Sequence, residues 1–87
     1  MQAQAEAGSK YLADSVQPPN RCLCPISREV MTDPVLAGDG YTYERAEIVK
    51  WFRQSNTSPM TNEVLRTSLV PNRTMKTVVE DWRQHHP

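Results

Sequence analysis

The chain has 87 residues, with ten basic and ten acidic side chains and no net formal charge. This balance argues against a nucleic-acid-binding protein, which needs a basic excess, and no apolar run is long enough to span a membrane. The chain opens without the features of a secretory signal, and its length suits one small domain.

The N-terminal residues differ in composition from the rest of the chain. Residues 1–16 are rich in alanine and glutamine and show little apolar periodicity. We interpret them as a flexible or partly helical N-terminal extension. The Pro18-Pro19 pair that follows is typical of a linker, so we assign the folded domain to residues 17–87.

An irregular segment, the first loop, is predicted at residues 21–34, where Asp33-Pro34 marks a turn. It contains both cysteines of the chain, Cys22 and Cys24, one residue apart. A disulfide at this spacing would be strained. We therefore expect two thiols and a reducing compartment, the cytoplasm or the nucleus.

A β-hairpin is predicted next. Residues 35–37 and 41–43 are short β-prone runs on either side of Gly38-Asp39-Gly40, whose glycines permit a sharp reversal of the backbone.

The central helix is predicted at residues 46–54, with Thr42 as a plausible N-cap. One buried stripe is expected on this helix, formed by Ile48, Val49 and Phe52. Trp51 lies beside the stripe, half in the core and half on the surface, where its ring can anchor a partner.

A polar second loop is predicted at residues 55–66, followed by a short extended piece at residues 69–70. Asn72 is the expected N-cap of a C-terminal helix that ends near residue 85. The apolar stripe expected to pack this helix onto the core is Met75, Val78, Val79 and Trp82.

Two long loops in so small a domain need a device to hold them, because ordering the backbone costs about 1–2 kcal/mol per residue. Structural zinc is the usual device, bound by four Cys or His ligands in spaced pairs. The available ligands are Cys22, Cys24, His85 and His86, and neither Cys-x-Cys nor His-His is a suitable pair. We therefore predict no metal and no cofactor, and keep a small metal-binding domain as an alternative.

The sequence contains a series of short motifs in a characteristic order. They are Cys24-Pro25-Ile26-Ser27, Glu29-x-Met31-x-Asp33-Pro34-Val35, Gly38-x-Gly40-x-Thr42-Tyr43-x-Arg45, Ile48-x-x-Trp51, Ser58-Pro59-Met60-Thr61 and Pro71-Asn72. Together they cover residues 22 to about 84 and resemble the U-box of ubiquitin ligases.

The resemblance implies an α+β fold, the small metal-free RING-like U-box fold. Its parts are a short β-hairpin or small antiparallel sheet, a central helix, two long loops and a C-terminal helix. At the positions of RING metal ligands this chain has the hydroxyl residues Ser27, Ser58 and Thr61.

Hydrogen bonds would then replace the metal. A structural zinc contributes about 10–16 kcal/mol, whereas a hydrogen bond contributes about 1 kcal/mol, or 1.5–3 when charged, so several are needed. The candidate polar network is Ser27, Asp39, Thr42, Glu44, Arg45, Ser58, Thr61 and Asn72. The alternative for each is an ordinary turn or cap residue.

The resemblance also implies a function. U-boxes are E3 modules that bind a ubiquitin-charged E2 conjugating enzyme and promote ubiquitin transfer to a substrate lysine without a covalent E3 intermediate. The E2 contact residues it implies are Pro25, Ile26, Trp51, Pro59 and Met60. These apolar side chains lie on two loops and one helix with a polar surround, which suits a docking site.

No catalytic nucleophile is expected in this chain. Cys24 has no histidine near it in sequence and is structural in the resemblance. Asn62 occupies the RING linchpin position, where Arg is frequent, and Asn cannot supply a charge there. A catalytically weak, U-box-shaped interaction adaptor is therefore the alternative function.

The partners implied are the E2 enzyme and its conjugated ubiquitin. The protein substrate would be bound by other domains of a longer parent protein. Some U-boxes self-associate, so the resemblance leaves a homodimer open. Nucleic acid and membrane are not expected partners.

Overall fold

The computed structural model describes residues 17–86, and the proposed extension at residues 1–16 lies outside them. The elements, in chain order, are a 3-10 turn (Asn20–Cys22), β1 (Pro34–Leu36), β2 (Thr42–Glu44), α1 (Arg45–Phe52), β3 (Val70–Pro71) and α2 (Arg73–His85). This arrangement confirms the predicted α+β fold, with a small antiparallel sheet, two helices and two long loops. Neither helix within residues 17–86 is long and apolar enough to cross a membrane.

The three strands form one antiparallel sheet in the order β2-β1-β3. Val35 of β1 pairs with Tyr43 of β2, which confirms the predicted hairpin. Gly40 adopts a φ of 84° in the connecting turn, a conformation that glycine reaches without strain. Leu36 of β1 pairs with Val70 of β3, so the short extended piece predicted from sequence is the third strand.

The start of α1 differs from the prediction. Thr42 is not its N-cap: β2 continues through Glu44, and α1 begins at Arg45. The Thr42 hydroxyl instead accepts a hydrogen bond of 2.8 Å from Asn72 Nδ2. The N-cap residue is Glu44, whose carboxylate does not cap the helix, because it binds backbone N–H groups of the first loop.

One residue of the predicted stripe on α1 was placed wrongly. Ile48 is fully buried and Phe52 packs against the core, but Val49 is 38% exposed. With 3.6 residues per turn, adjacent positions are about 100° apart around the helix axis, so Val49 turns away when Ile48 points inward.

The core lies between the first loop, the sheet and α1. Its buried cluster consists of Cys24, Met31, Val35, Ala37, Tyr43 and Ile48. Half-buried apolar side chains pack around this cluster: Ile26, Trp51, Phe52, Leu69 and Met75. Cys24 is therefore a core residue, and its Sγ accepts a 3.3 Å hydrogen bond from the Glu44 N–H.

The second helix, α2, follows the prediction closely. Asn72 Oδ1 accepts a 2.9 Å hydrogen bond from the Met75 N–H, which confirms the N-cap. Val79 is 2% exposed and is the most buried position of the predicted stripe. Near the end of the helix, Arg83 Nη2 donates to the carbonyl of Val30 at 3.1 Å and thereby joins α2 to the first loop.

Candidate functional site

An open groove separates the first loop from α1. We call it the docking groove; it has a volume of about 150 Å³ and is lined by Ile26, Glu47, Lys50, Trp51 and Gln54. Ile26 and Trp51 are half-buried and supply its apolar part. Lys50 Nζ lies 3.9 Å from Glu47 Oε1 along one edge. The groove thus combines apolar side chains with a neighbouring charged pair, a combination that protein-binding sites commonly show.

The second loop lies next to this groove because Trp51 is bonded to it. The indole Nε1 of Trp51 donates to the Thr57 carbonyl at 2.6 Å. Pro59 and Met60 follow on the same loop, Pro59 half-buried and Met60 49% exposed. Neither residue lines the docking groove itself.

Pro25 lines a second groove, of about 260 Å³, with residues that include Leu23, Tyr41 and Met75. The structure therefore brings two of the five proposed E2 contacts, Ile26 and Trp51, into one groove. Pro25, which is adjacent to Ile26 in sequence, does not line this groove, and its role as an E2 contact stays a prediction.

The charged and amide residues of the docking groove were missed by sequence reasoning. Glu47 and Gln54 lie four residues before and three residues after Trp51. Residues three or four apart lie side by side on a helix surface. Once Trp51 is predicted to bind a partner, this spacing indicates which neighbouring residues can line the same groove.

Asp39 is the centre of the hydrogen bonds that hold the second loop. Its Oδ2 accepts from Tyr43 OH at 2.6 Å and from Ser58 Oγ at 2.7 Å, and its Oδ1 accepts from the Tyr41 N–H at 2.9 Å. Burial raises the pKa of the Asp39 carboxyl, but the hydrogen bonds from Ser58, Tyr43 and Tyr41 outweigh it and bring the pKa below its usual value. Burial and the bond to Asp39 raise the pKa of Tyr43, which stays protonated as a donor.

Ser58 extends this contact into the second loop. Its side chain is buried, and its oxygen accepts from the N–H groups of Met60 at 3.0 Å and Thr61 at 2.8 Å. A hydroxyl here both donates and accepts, so it joins the carboxylate to the loop backbone.

Glu44 and Arg45 hold the first loop in a comparable way. The Glu44 carboxylate accepts from the N–H of Thr32 at 2.7 Å and of Asp33 at 2.9 Å. Arg45 Nε donates to Asp33 Oδ2 at 2.7 Å. Together with the Thr42–Asn72 bond, these contacts link the first loop, the sheet and α2.

Two proposed network residues do not reach beyond their own turns. Ser27 Oγ accepts from the Glu29 N–H and Thr61 Oγ1 accepts from the Glu63 N–H, each at 3.3 Å. In this structure they are therefore ordinary turn residues and not members of the polar network. Sequence reasoning did not include Asp33 or Tyr43, although both are polar neighbours of proposed members.

Hydrogen bonds thus attach both loops to the rest of the domain. Within residues 17–86, no group of three or more Cys, His, Asp or Glu side chains is arranged to bind one. We expect the thermal midpoint of unfolding to stay unchanged in excess chelator, measured by differential scanning fluorimetry with and without EDTA. A fall of many degrees would show that a structural metal contributes to folding.

Comparison with known proteins assigns this chain to a family. The family model for the U-box domain matches residues 18–87. The probable bifunctional E2/E3 enzyme R795 of Acanthamoeba polyphaga mimivirus is 44% identical over 72 residues, which is 83% of this chain and 6% of that protein. The human WD repeat, SAM and U-box domain-containing protein 1 is 47% identical over 70 residues, 78% of this chain and 15% of that protein.

A plant relative supports the same family assignment. U-box domain-containing protein 35 of Arabidopsis thaliana is 42% identical over 79 residues, 90% of this chain and 10% of that protein. The chain belongs to the U-box family. It spans only 6–15% of the length of these three relatives.

Proposed function

We propose that this U-box is an E3 ubiquitin ligase module that binds a ubiquitin-charged E2 enzyme and promotes ubiquitin transfer to a substrate lysine. Membership of the U-box family supports the ligase class, as does the printed name of the mimivirus relative, a probable bifunctional E2/E3 enzyme. The observation that carries the proposal is the docking groove, which is lined by Ile26 and Trp51.

The E2 enzyme would dock by inserting an apolar side chain between Ile26 and Trp51. Aromatic residues such as Trp are frequent anchors of protein interfaces, and a surrounding polar rim excludes water from them. Glu47 and Lys50 supply this rim here. Pro59 and Met60 would add apolar contact from the neighbouring second loop.

The contribution to the reaction would be positional. Holding the charged E2 and its ubiquitin in an attack-ready arrangement raises the rate without a new chemical group. A covalent E3 intermediate is not part of the proposal. The nearest rival nucleophile, Cys24, is fully buried in the core and cannot meet an incoming thioester.

Single-turnover discharge of a ubiquitin-charged E2 to free lysine tests this function. An active ligase module accelerates discharge as its concentration rises. The alternative, a catalytically weak adaptor, binds the charged E2 without accelerating discharge. Absence of both binding and acceleration would contradict the proposal.

Asn62 is the feature that favours the adaptor, and Asn62→Arg is expected to increase discharge. A charged hydrogen bond is about twice as strong as a neutral one, so we expect a gain of about 3- to 10-fold in the saturating rate. Asn62 is exposed and has a φ of 70°, a backbone conformation that Asn adopts more readily than Arg. The measurement is therefore made at matched folded fraction and saturating domain.

Asn62→Gln is the matched control, because it lengthens the side chain without adding charge. It should leave the rate near that of the unmodified chain. A rate for Asn62→Arg at or below this level would show that the position does not control reactivity.

The remaining partners follow from the same proposal. The chain spans a small fraction of each relative, and those relatives are longer proteins. We propose that other domains of a longer parent protein bind the substrate, in the cytoplasm or the nucleus. Self-association of this domain can be tested by sedimentation.

A further inference from the structure

We propose that Trp51 is a positioning residue: its indole N–H fixes the orientation of the second loop beside the docking groove, through one hydrogen bond to the Thr57 carbonyl. This role is separate from the contact that the Trp51 ring would make with a partner. Only the expected effect of this hydrogen bond on docking rests on the proposed function.

The geometry of Trp51 suits such a role. The indole Nε1 lies 2.6 Å from the Thr57 carbonyl oxygen, and the ring packs against the buried core, which restricts its orientation. The backbone carbonyl of Trp51 accepts from the N–H groups of Gln54 and Ser55, both at 3.0 Å. The same residue therefore closes the end of α1 and bonds to the loop that follows.

The second loop is stabilised by hydrogen bonds within itself, so a hydrogen bond from outside at one residue affects the orientation of the whole loop. The Leu65 N–H donates to the Asn56 carbonyl and the Ser58 N–H to the Glu63 carbonyl, both at 2.7 Å. Thr57 and Val64 form an antiparallel bridge between these bonds. Residues 56–65 thus form a narrow, doubled-back unit with Pro59 and Met60 near its tip.

Side-chain hydrogen bonds within residues 17–86 join this unit to the rest of the domain at three places. Ser58 Oγ donates to Asp39 Oδ2 in the β1–β2 turn, and Trp51 Nε1 of α1 donates to the Thr57 carbonyl. Ser55, just before the unit, accepts from the Thr57 N–H at 3.2 Å, and its hydroxyl lies 2.6 Å from the Thr57 hydroxyl. Ser55 directly precedes the unit in the chain, so its bonds hold the start of the unit, whereas the Ser58 and Trp51 bonds attach it to the β1–β2 turn and to α1. The Trp51 bond is the one beside the docking groove, so its loss should release the loop on that side.

The expected consequence is weaker docking with unchanged reactivity. A loosened loop must be ordered when the partner binds, and this ordering reduces affinity. The saturating rate should stay the same, because the bound arrangement can still form.

The decisive variant replaces Trp51 by 3-benzothienylalanine, which has nearly the same shape but carries sulfur in place of the indole N–H. Trp51→Phe is a second variant that also lacks the donor. The matched control places the same amino acid at Trp82 of α2, whose ring stacks on His86 with 4.4 Å between ring centroids. All variants are made in the 87-residue chain.

Two measurements are made on each variant. Hydrogen exchange of the Ser58 and Leu65 amides is measured on the free chain, with the Tyr43 amide as a reference for the sheet. The second measurement is discharge of charged E2 as a function of domain concentration, which separates the half-saturating concentration from the saturating rate.

We expect exchange at Ser58 and Leu65 to become about 3- to 10-fold faster in both position-51 variants, the range that corresponds to one neutral hydrogen bond. The reference amide and the Trp82 control should stay unchanged. The half-saturating concentration of the benzothienyl variant should rise by a similar factor, with the saturating rate retained.

Unchanged exchange in the benzothienyl variant would overturn the positioning role. Faster exchange with an unchanged half-saturating concentration would overturn its link to docking. Failure of the proposed function is distinguishable, because the unmodified chain would then not bind charged E2, while the exchange measurement needs no partner.

Discussion

Asp39→Asn is expected to lower the free energy of unfolding by about 2–4 kcal/mol, because it removes a charge that accepts three hydrogen bonds. Tyr43 OH and Ser58 Oγ share one carboxylate oxygen and the Tyr41 N–H bonds to the other. An amide can place an acceptor on only one of these two sides. For a domain of this size the loss corresponds to a fall of about 10–20 °C in the thermal midpoint. Urea denaturation followed by far-UV circular dichroism measures it.

Asp81→Asn is the matched control, since it removes the same charge from an exposed position on α2. The Asp81 side chain is 73% exposed, and a surface charge contributes little to stability. This variant should stay within about 0.5 kcal/mol of the unmodified chain. Equal effects of the two substitutions would show that Asp39 does not hold the second loop.

The same carboxyl group should give the domain a specific sensitivity to acid. Its pKa in the folded state is below the ordinary value of 3.8, so the unfolded state binds a proton more readily. Its contribution to stability is therefore present above pH 3.8 and is lost as the pH falls through the lowered folded-state pKa. Asp39→Asn should reduce the slope of stability against pH in this acid range, measured by denaturation at a series of pH values.

Ile26→Ala is expected to weaken binding of a charged E2 by about 1–3 kcal/mol, the range for an interface hot spot. This corresponds to a loss of about 5- to 150-fold in affinity. Ile26 and Trp51 are the apolar residues that line the docking groove. It also packs partly against the core, so some loss of stability will accompany the change. Binding is therefore measured by isothermal titration at a temperature where the variant is fully folded.

Val79→Ala separates the two effects. Val79 is 2% exposed on α2 and does not line the docking groove. Its truncation leaves a cavity and should cost about 1–3 kcal/mol of folding stability, with the affinity of the folded domain unchanged. If Ile26→Ala binds as well as the unmodified chain, then the groove is not the docking surface. Complete unfolding of Ile26→Ala would instead assign Ile26 to the core.

Local patterns predicted the sheet and both helices of this fold, but not the start of α1. The apolar spacing from Met75 to Trp82 and the Asn72 cap predicted α2, since both depend on residues within a few positions of one another. The hairpin followed from two β-prone runs around a glycine-containing turn, and the register confirms it. Thr42 was wrongly predicted as the N-cap of α1, because β2 continues to Glu44 and α1 begins at the next residue without a loop. The Thr42 hydroxyl accepts a hydrogen bond from Asn72, which is thirty positions away.

The contacts of the candidate site depend on tertiary structure far more than the helices and strands do. The sequence itself determined the residue types: hydroxyls and carboxylates in two long loops, and apolar side chains around Trp51. Only the folded chain decided that Asp39 binds Tyr43 and Ser58, and that Glu44 binds the Thr32 and Asp33 N–H groups. It also decided that Ile26 and Trp51 line one groove and Pro25 lines another. Side-chain hydrogen bonds between distant segments leave no periodic pattern in the sequence. The reason is that the packing of the sheet, the helices and the loops against one core determines which partners meet.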